Sequence, residues 1–158
     1  MGRVGVQPGV TTGQIVLLLA LAAALGFGAW RAVVDGRFGS HRRAATEVAP
    51  EEPSLLAGTP FEATLGERAT LLQFSSAFCA PCRATRQVLG DVAAVVPGVA
   101  HVEVDAEQHL ALVRQLQIMR TPTTVVLDAR GHEVARAAGA PRKEQVLAAL
   151  GEALHDVP

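Results

Sequence analysis

The sequence predicts an α/β domain, with a mixed central sheet flanked by helices, that follows one N-terminal transmembrane helix. Three patterns support this prediction. An uncharged apolar stretch lies near the start of the chain, short apolar runs alternate with stretches of helical spacing after residue 60, and a short turn joins two of these runs. Strands joined by helices pair in parallel and a short turn forces antiparallel pairing, so the sheet is expected to contain both arrangements.

Length and composition limit the classes of protein that the chain can represent. Its 158 residues suit one domain with an appendage. Hydrophobic residues make up 49% of the chain and the formal net charge is -1, so a sizeable core is available and no nucleic-acid partner is expected.

The segment 13–34 is predicted to be a transmembrane anchor behind a short N-terminal segment, 1–12. Residues 15–30 are almost all apolar or glycine and carry no charge. A helix of about 20 such residues spans the hydrocarbon core of a bilayer. The lipid bilayer is therefore an expected partner of the segment 13–34.

Two other interpretations of this apolar run stay open. Residues 15–25 have the length of the apolar region of a cleaved signal peptide, but Phe27 and Trp30 lie where a small-x-small cleavage motif belongs. A helix buried in a soluble core is the second alternative, and it would need cover on every side.

The charges beside the anchor predict its orientation. Arg3 precedes the anchor, whereas several arginines follow it, namely Arg31, Arg37, Arg42 and Arg43. The more basic short flank tends to stay in the cytoplasm. The flanking charge therefore predicts a single-pass protein whose domain faces the cytoplasm.

The remainder of the chain divides into a predicted linker, 35–59, and a folded domain, 60–158. The linker mixes charged residues, proline, glycine and serine with little periodicity. In the domain, β-branched and apolar runs predict strands, and apolar residues at helical spacing predict helices. The predicted order is a strand at 70–74, a helix at 81–96, a strand at 101–104, a helix at 110–116, a strand at 123–127, a turn at 128–131, a strand at 133–137 and a helix at 142–154.

The two cysteines of the chain, Cys79 and Cys82, lie in a Cys-Ala-Pro-Cys run where the first predicted strand ends and a helix begins. Three residues apart on a first helical turn, their Cα atoms would be about 5–6 Å apart, which suits a disulfide that opens and closes. The helix N-terminus favours a thiolate at Cys79, the predicted nucleophile, and Cys82 is predicted to resolve the mixed disulfide. Pro81 suits the first helical turn, and Arg83 adds a positive charge.

A structural disulfide and a metal site are the competing interpretations of the cysteine pair. Closing so short a loop removes only about 2 kcal/mol of unfolded-state entropy. Tetrahedral zinc needs two more ligands at similar spacing, and the histidines are scattered singly, at His41, His101, His109, His132 and His155. No metal or other cofactor is expected, and the histidines are interpreted as solvated surface residues.

Pro122 follows Thr121 immediately before a strand that should lie inside the sheet. A proline cannot donate a hydrogen bond to a strand ladder, so its position is unusual. Considered alone, Pro122 favours an ordinary trans turn, since only about one X-Pro bond in twenty is cis in folded proteins.

Four motifs together, LLQFSSAFCAPCR, VEVDAE, RTPTTVVLD and GAPRKEQVLAAL, resemble the thioredoxin superfamily over about residues 60–155. The resemblance implies a thioredoxin-like fold, a thiol-disulfide oxidoreductase activity, and protein thiols or disulfides as substrates, with an electron donor that the sequence does not identify. It also implies a cis bond between Thr121 and Pro122, pairing of the Thr121 backbone with an extended substrate strand, and a third substrate-facing loop at Gly139.

Four residues depart from the pattern of thioredoxins proper, and one of them, Gln87, replaces the proline that usually kinks the active-site helix. Phe78, Ala80 and Gln73 occupy positions where thioredoxins have a tryptophan, a glycine and a buried aspartate. Gln73 cannot accept a proton, so Cys82 needs water or another group for its deprotonation. With its apolar segment, the chain is similar to membrane-anchored thioredoxin-like proteins, which commonly work outside the cytoplasm; this likeness favours the opposite orientation from the flanking charge.

These residues indicate two possible functions. The first is a disulfide reductase or exchange enzyme, because Ala80 and Pro81 occupy the positions at which oxidising relatives carry a histidine that stabilises the reduced form. The alternative is a non-catalytic thioredoxin-like module at the membrane that binds a partner or senses redox state, and Gln73 favours it.

Overall fold

The computed structural model describes residues 12–40 and 53–155. The chain divides into two compact units, Met1–Val34 and Asp35–Pro158. The boundary between the units coincides with the end of the first helix, at Val34.

The first unit contains a single described helix, α1 (Thr12–Val34), with 23 residues. Large apolar side chains such as Leu17, Leu21 and Leu25 are exposed along it. Within the described part of the chain, α1 is the one helix that is long and apolar enough to cross a membrane, and none of the span Thr12–Arg31 is buried. This exposure fits an anchor or a signal sequence, and it does not fit a helix buried in a soluble core.

The described residues of the second unit form a five-stranded mixed sheet, three α-helices and a short 3-10 helix at Glu62–Thr64. The strands and α-helices are β1 (Phe38–Ser40), β2 (Ala69–Ser75), α2 (Ala80–Val95), β3 (Val99–Asp105), α3 (Leu110–Gln115), β4 (Thr123–Asp128), β5 (Glu133–Ala138) and α4 (Lys143–His155). The strand order across the sheet is β1-β5-β4-β2-β3. Only β2 and β3, which α2 connects, are parallel; the other neighbours are antiparallel. The predicted α/β class and the mixed sheet are confirmed.

The interior strand β2, between β4 and β3, separates two hydrophobic clusters. All seven of its residues are buried, as expected for a strand covered on both faces. Leu72 and Phe74 point into one cluster, with Leu56 and Val125, while Leu71 points into the other. This alternation places Gln73 on the same face of the sheet as Leu71.

The segment 35–59 differs from the linker that its composition predicts. Phe38–Ser40 forms β1 and pairs with β5, and Leu56 is fully buried. The backbone N–H of Leu55 also donates to the carbonyl of Gly131 at 3.0 Å. A three-residue strand and one buried leucine leave no periodic pattern, which is why the sequence did not predict them. Residues 41–52 and 1–11 lie outside the described residues.

Candidate active site

The two cysteines lie where α2 begins. Cys79 is the N-cap residue of α2 and Cys82 lies in its first turn. They form a disulfide with a Cα separation of 5.2 Å, within the distance that the sequence predicted. The backbone N–H of Cys82 donates to Sγ of Cys79 at 3.1 Å. After reduction, this N–H and the positive end of the helix would favour a thiolate at Cys79.

The two cysteines differ in exposure. Cys82 is 2% exposed, whereas Cys79 is half-buried and its neighbours Ala80 and Pro81 are exposed. Phe78, immediately before Cys79, is 100% exposed. Arg83 is also exposed, at the start of α2. A protein partner can therefore approach Cys79 more readily than Cys82.

The peptide bond between Thr121 and Pro122 is cis. The cis bond implied by the family resemblance is confirmed, and the trans turn that Pro122 alone favoured is wrong. Pro122 is buried and Thr121 half-buried. The Thr121 hydroxyl lies 3.1 Å from the hydroxyl of Ser76, so this loop contacts the segment that leads into Cys79.

Gly139 lies beside the same loop. Its backbone N–H donates to the carbonyl of Pro122 at 2.8 Å, and its φ of +102° is one that residues with a side chain rarely adopt. Arg120 links the region to the beginning of the second unit, because its guanidinium donates to Asp35 at 2.8 Å and to the carbonyl of Ala138 at 2.7 Å. The loops at Thr121, Pro122 and Gly139 therefore lie together.

Gln73 lies behind the cysteines and is fully buried. Its Nε2 donates to the backbone carbonyl of Cys82 at 2.9 Å and to Oγ of Ser75 at 3.0 Å. Its Oε1 lies 3.1 Å from Nε2 of His101. The amide at this position thus makes three polar contacts, and two of them require a donor that an ionised aspartate does not have.

The contacts of Gln73 continue to two charged side chains. Ser75 donates a hydrogen bond to Glu103, and Glu103 forms an ion pair with Arg86 at 2.6 Å. Burial raises the pKa of Glu103, but hydrogen bonds from Arg86 and Ser75, together with the nearby positive charges, lower that pKa overall. The connected residues Arg86, Glu103, Ser75, Gln73 and His101 are called the polar chain below.

His101 is a site residue that the sequence did not predict. The scattered spacing of the histidines indicated solvated surface residues, but His101 is half-buried and contacts Gln73. Burial lowers the pKa of His101; the carboxylate of Glu103 opposes this effect and the guanidinium of Arg86 reinforces it. The available signal was the alternation of β3, which places His101 and Glu103 on one face beside β2.

Two further buried polar groups lie on α2 and β4. Thr85 of α2 and Thr124 of β4 are buried, and within the described residues their hydroxyls have no hydrogen-bond partner. Thr124 is paired in register with Gln73. In the ranges 12–40 and 53–155, no cluster of three or more histidine, cysteine or acidic residues could hold a metal ion.

The comparison with known proteins agrees with this geometry. The model of the Thioredoxin-like domain family matches residues 62–154. A thioredoxin of Mycolicibacterium smegmatis is 33% identical over 87 residues, which are 53% of this chain and 77% of that protein. Thioredoxin H-type 1 of Nicotiana tabacum is 28% identical over 78 residues, 49% of this chain and 61% of the tobacco protein.

Solved structures show the same fold. A mutant thioredoxin from Halobacterium salinarum superposes with a TM-score of 0.57 at 20% identity, over 72% of this chain and 100% of that one. Thioredoxin from Fasciola hepatica superposes with a TM-score of 0.51 at 24% identity, over 59% of this chain and 86% of that one. The family match and the paired cysteines support a thiol-disulfide oxidoreductase in general. The chain belongs to the thioredoxin-like domain family.

Proposed function

We propose that this chain is a membrane-anchored disulfide reductase or exchange enzyme that uses the Cys79–Cys82 dithiol. The observation that carries the proposal is the difference in exposure between the two cysteines. Cys79 is accessible and receives an N–H from α2 at 3.1 Å, while Cys82 is only 2% exposed and lies within disulfide distance of it. An accessible attacking thiol with a protected second thiol is the arrangement that exchange requires.

The proposed reaction has two steps. The Cys79 thiolate attacks a sulfur of the partner's disulfide, so that a mixed disulfide forms and one partner sulfur leaves as a thiolate. Cys82 then loses its proton and attacks Sγ of Cys79, which breaks the mixed disulfide, closes the Cys79–Cys82 bond and releases the second partner thiolate. The two electrons gained by the partner come from the dithiol, which an external thiol donor must reduce again.

The partner would bind across the loops beside Cys79. An extended segment of the partner pairs with the backbone of Thr121 in this proposal, next to Pro122 and Gly139. Phe78 is 100% exposed and Met119 is 90% exposed, so each offers apolar area to such a segment. Protein thiols and disulfides are thus the proposed substrates.

A second candidate function is a non-catalytic binding or redox-sensing module at the membrane. Gln73 favours it, because an amide cannot take a proton from Cys82.

An insulin-reduction assay on the full chain in detergent micelles separates these two functions. With dithiothreitol as the donor, we expect the protein to accelerate precipitation of the reduced insulin chains. The matched control carries Cys79→Ser and Cys82→Ser and should not exceed the rate with dithiothreitol alone. If the intact chain does no better than this double variant, the enzyme proposal is wrong and the binding module is favoured.

The membrane part of the proposal rests on α1 and on the flanking charge. We expect the domain to face the cytoplasm, since the residues after α1 carry more arginine than those before it. Fusions after Pro158 test this expectation in cells. Fluorescence of a fused fluorescent protein, with no activity of a fused alkaline phosphatase, is expected; an active phosphatase would instead place the domain outside the cytoplasm, as in anchored relatives.

A further inference from the structure

The polar chain contacts Cys82 through Gln73, and Cys82 must lose a proton in the second step of exchange. The second step of exchange needs Cys82 as a thiolate, yet this residue is buried, and burial disfavours the charged form. Gln73, which contacts the carbonyl of Cys82 at 2.9 Å, cannot change its charge. A nearby group that can become positive would lower the cost of the thiolate.

The hydrogen bonds of Gln73 fix which nitrogen of His101 carries its proton. The carbonyl of Cys82 only accepts hydrogen bonds, so the NH₂ group of Gln73 must face it. Oε1 of Gln73 is then directed at Nε2 of His101, 3.1 Å away, and this nitrogen must be the donor. Nδ1 of neutral His101 therefore carries the lone pair that can accept a proton. Nδ1 of His101 faces Gly90 of α2, because a β-carbon built onto Gly90 would lie 4.0 Å from this nitrogen.

Two groups of the polar chain could take up this proton, and they differ in their tendency to do so. Glu103 has a lowered pKa, owing to its bonds with Arg86 and Ser75, so it stays ionised. Burial also lowers the pKa of His101, so its ring is neutral at about pH 7. The negative charge of a Cys82 thiolate acts against this lowering and favours the uptake of a proton. The charged groups facing His101 are Glu103 on its own strand and Arg86 on α2; on β2 it meets the neutral amide of Gln73.

We propose that His101 titrates together with Cys82, taking up a proton at Nδ1 when Cys82 gives one up in the resolving step. This inference rests on the proposed exchange reaction. The positive imidazolium strengthens its hydrogen bond to Oε1 of Gln73, and the polarised amide strengthens its bond to the carbonyl of Cys82. When the Cys79–Cys82 disulfide closes, His101 releases the proton to solvent or to the departing thiolate, so protons balance over the step.

His101→Gln tests this coupling, because a glutamine keeps a donor for Gln73 and removes the titratable ring. The measurement is stopped-flow release of thionitrobenzoate from Ellman's reagent by the reduced full chain in micelles. The first release reports attack by Cys79 and the second reports resolution by Cys82. We expect the second step to slow by about threefold to tenfold at neutral pH, because a neutral glutamine cannot offset the charge of the Cys82 thiolate, and the first step to keep its rate.

His109→Gln is the matched control. His109 is a half-buried histidine that packs against Phe61 with ring centroids 4.8 Å apart, and it lies outside the polar chain. Both steps should keep their rates in this variant. If His101→Gln leaves resolution unchanged, or slows both steps equally, the proposed coupling is wrong. If neither step occurs in the unmutated chain, the exchange reaction itself fails.

A second measurement needs no substitution at His101. By linkage, a Cys82 that can ionise must change the titration of His101. We expect the imidazole resonance of His101, followed by nuclear magnetic resonance, to move towards its protonated position in the reduced protein over the pH range in which Cys82 ionises, and to show no such movement in the disulfide form. Identical titration curves in the two redox forms, measured through the range in which Cys82 ionises, would overturn the proposal.

Discussion

Cells that express the Cys82→Ser variant are expected to accumulate partner proteins attached to Cys79 through mixed disulfides. Cys79 keeps its exposure and its position at the N-terminus of α2, so the first attack proceeds. The internal route by which the mixed disulfide breaks is missing, and its breakdown must await an external thiol. We expect adducts on non-reducing gels that disappear with reductant, and turnover of insulin to fall to the background rate.

Cys79→Ser is the matched control for this experiment. The remaining thiol of Cys82 is 2% exposed and lies behind Cys79, so it should trap almost nothing. Mass spectrometry of the trapped bands would identify the partner. Equal trapping by the two variants would show that the nucleophile is wrongly assigned. An absence of adducts with both variants, while the chain keeps its native circular dichroism, would favour the binding module.

The parts of the site that local sequence determines could be predicted. The Cys-Ala-Pro-Cys run lies between an apolar run and a helical pattern, and this order alone places Cys79 at a helix N-terminus. Local sequence was not enough to predict the cis bond between Thr121 and Pro122, because Pro122 alone favours trans. The cis form followed only from the family resemblance of the four motifs together.

The contacts of the polar chain depend on the register between β2 and β3, which local patterns do not determine. The parallel register sets Gln73 opposite Glu103, and the side chain of His101 reaches Gln73 from the same face of β3. A shift by one residue would have reversed that face. For this reason the sequence identified the missing proton acceptor at Gln73 but not the histidine beside it.

The other feature that the sequence did not predict is the described loop around Leu56, near the C-terminal end of the segment 35–59. Polar composition indicated a linker, yet a single apolar side chain with the right backbone support is enough to attach a loop to a core. Leu56 is supported in this way: its N–H donates to the hydroxyl of Ser54 at 3.2 Å, and its carbonyl accepts from the hydroxyl of Thr59 at 2.7 Å.

Leu56→Ala is therefore expected to destabilise the second unit by about 2–5 kcal/mol. The side chain is 0% exposed and belongs to the cluster that contains Phe74 of β2 and Val125 of β4, so its removal leaves a cavity beside these strands. Leu147→Ala on α4 is the matched control, because Leu147 is 40% exposed and alanine favours a helix. Its effect should stay within about 1 kcal/mol.

Equilibrium urea unfolding of the full chain in micelles, followed by circular dichroism, compares the two variants in the disulfide form. A fall in the unfolding midpoint with an unchanged slope for Leu56→Ala would show a loss of stability without a change in the surface exposed on unfolding. An effect of Leu56→Ala as small as that of Leu147→Ala would mean that the loop around Leu56 does not contribute to the core. The interpretation as a linker would then hold for the residues around Leu56.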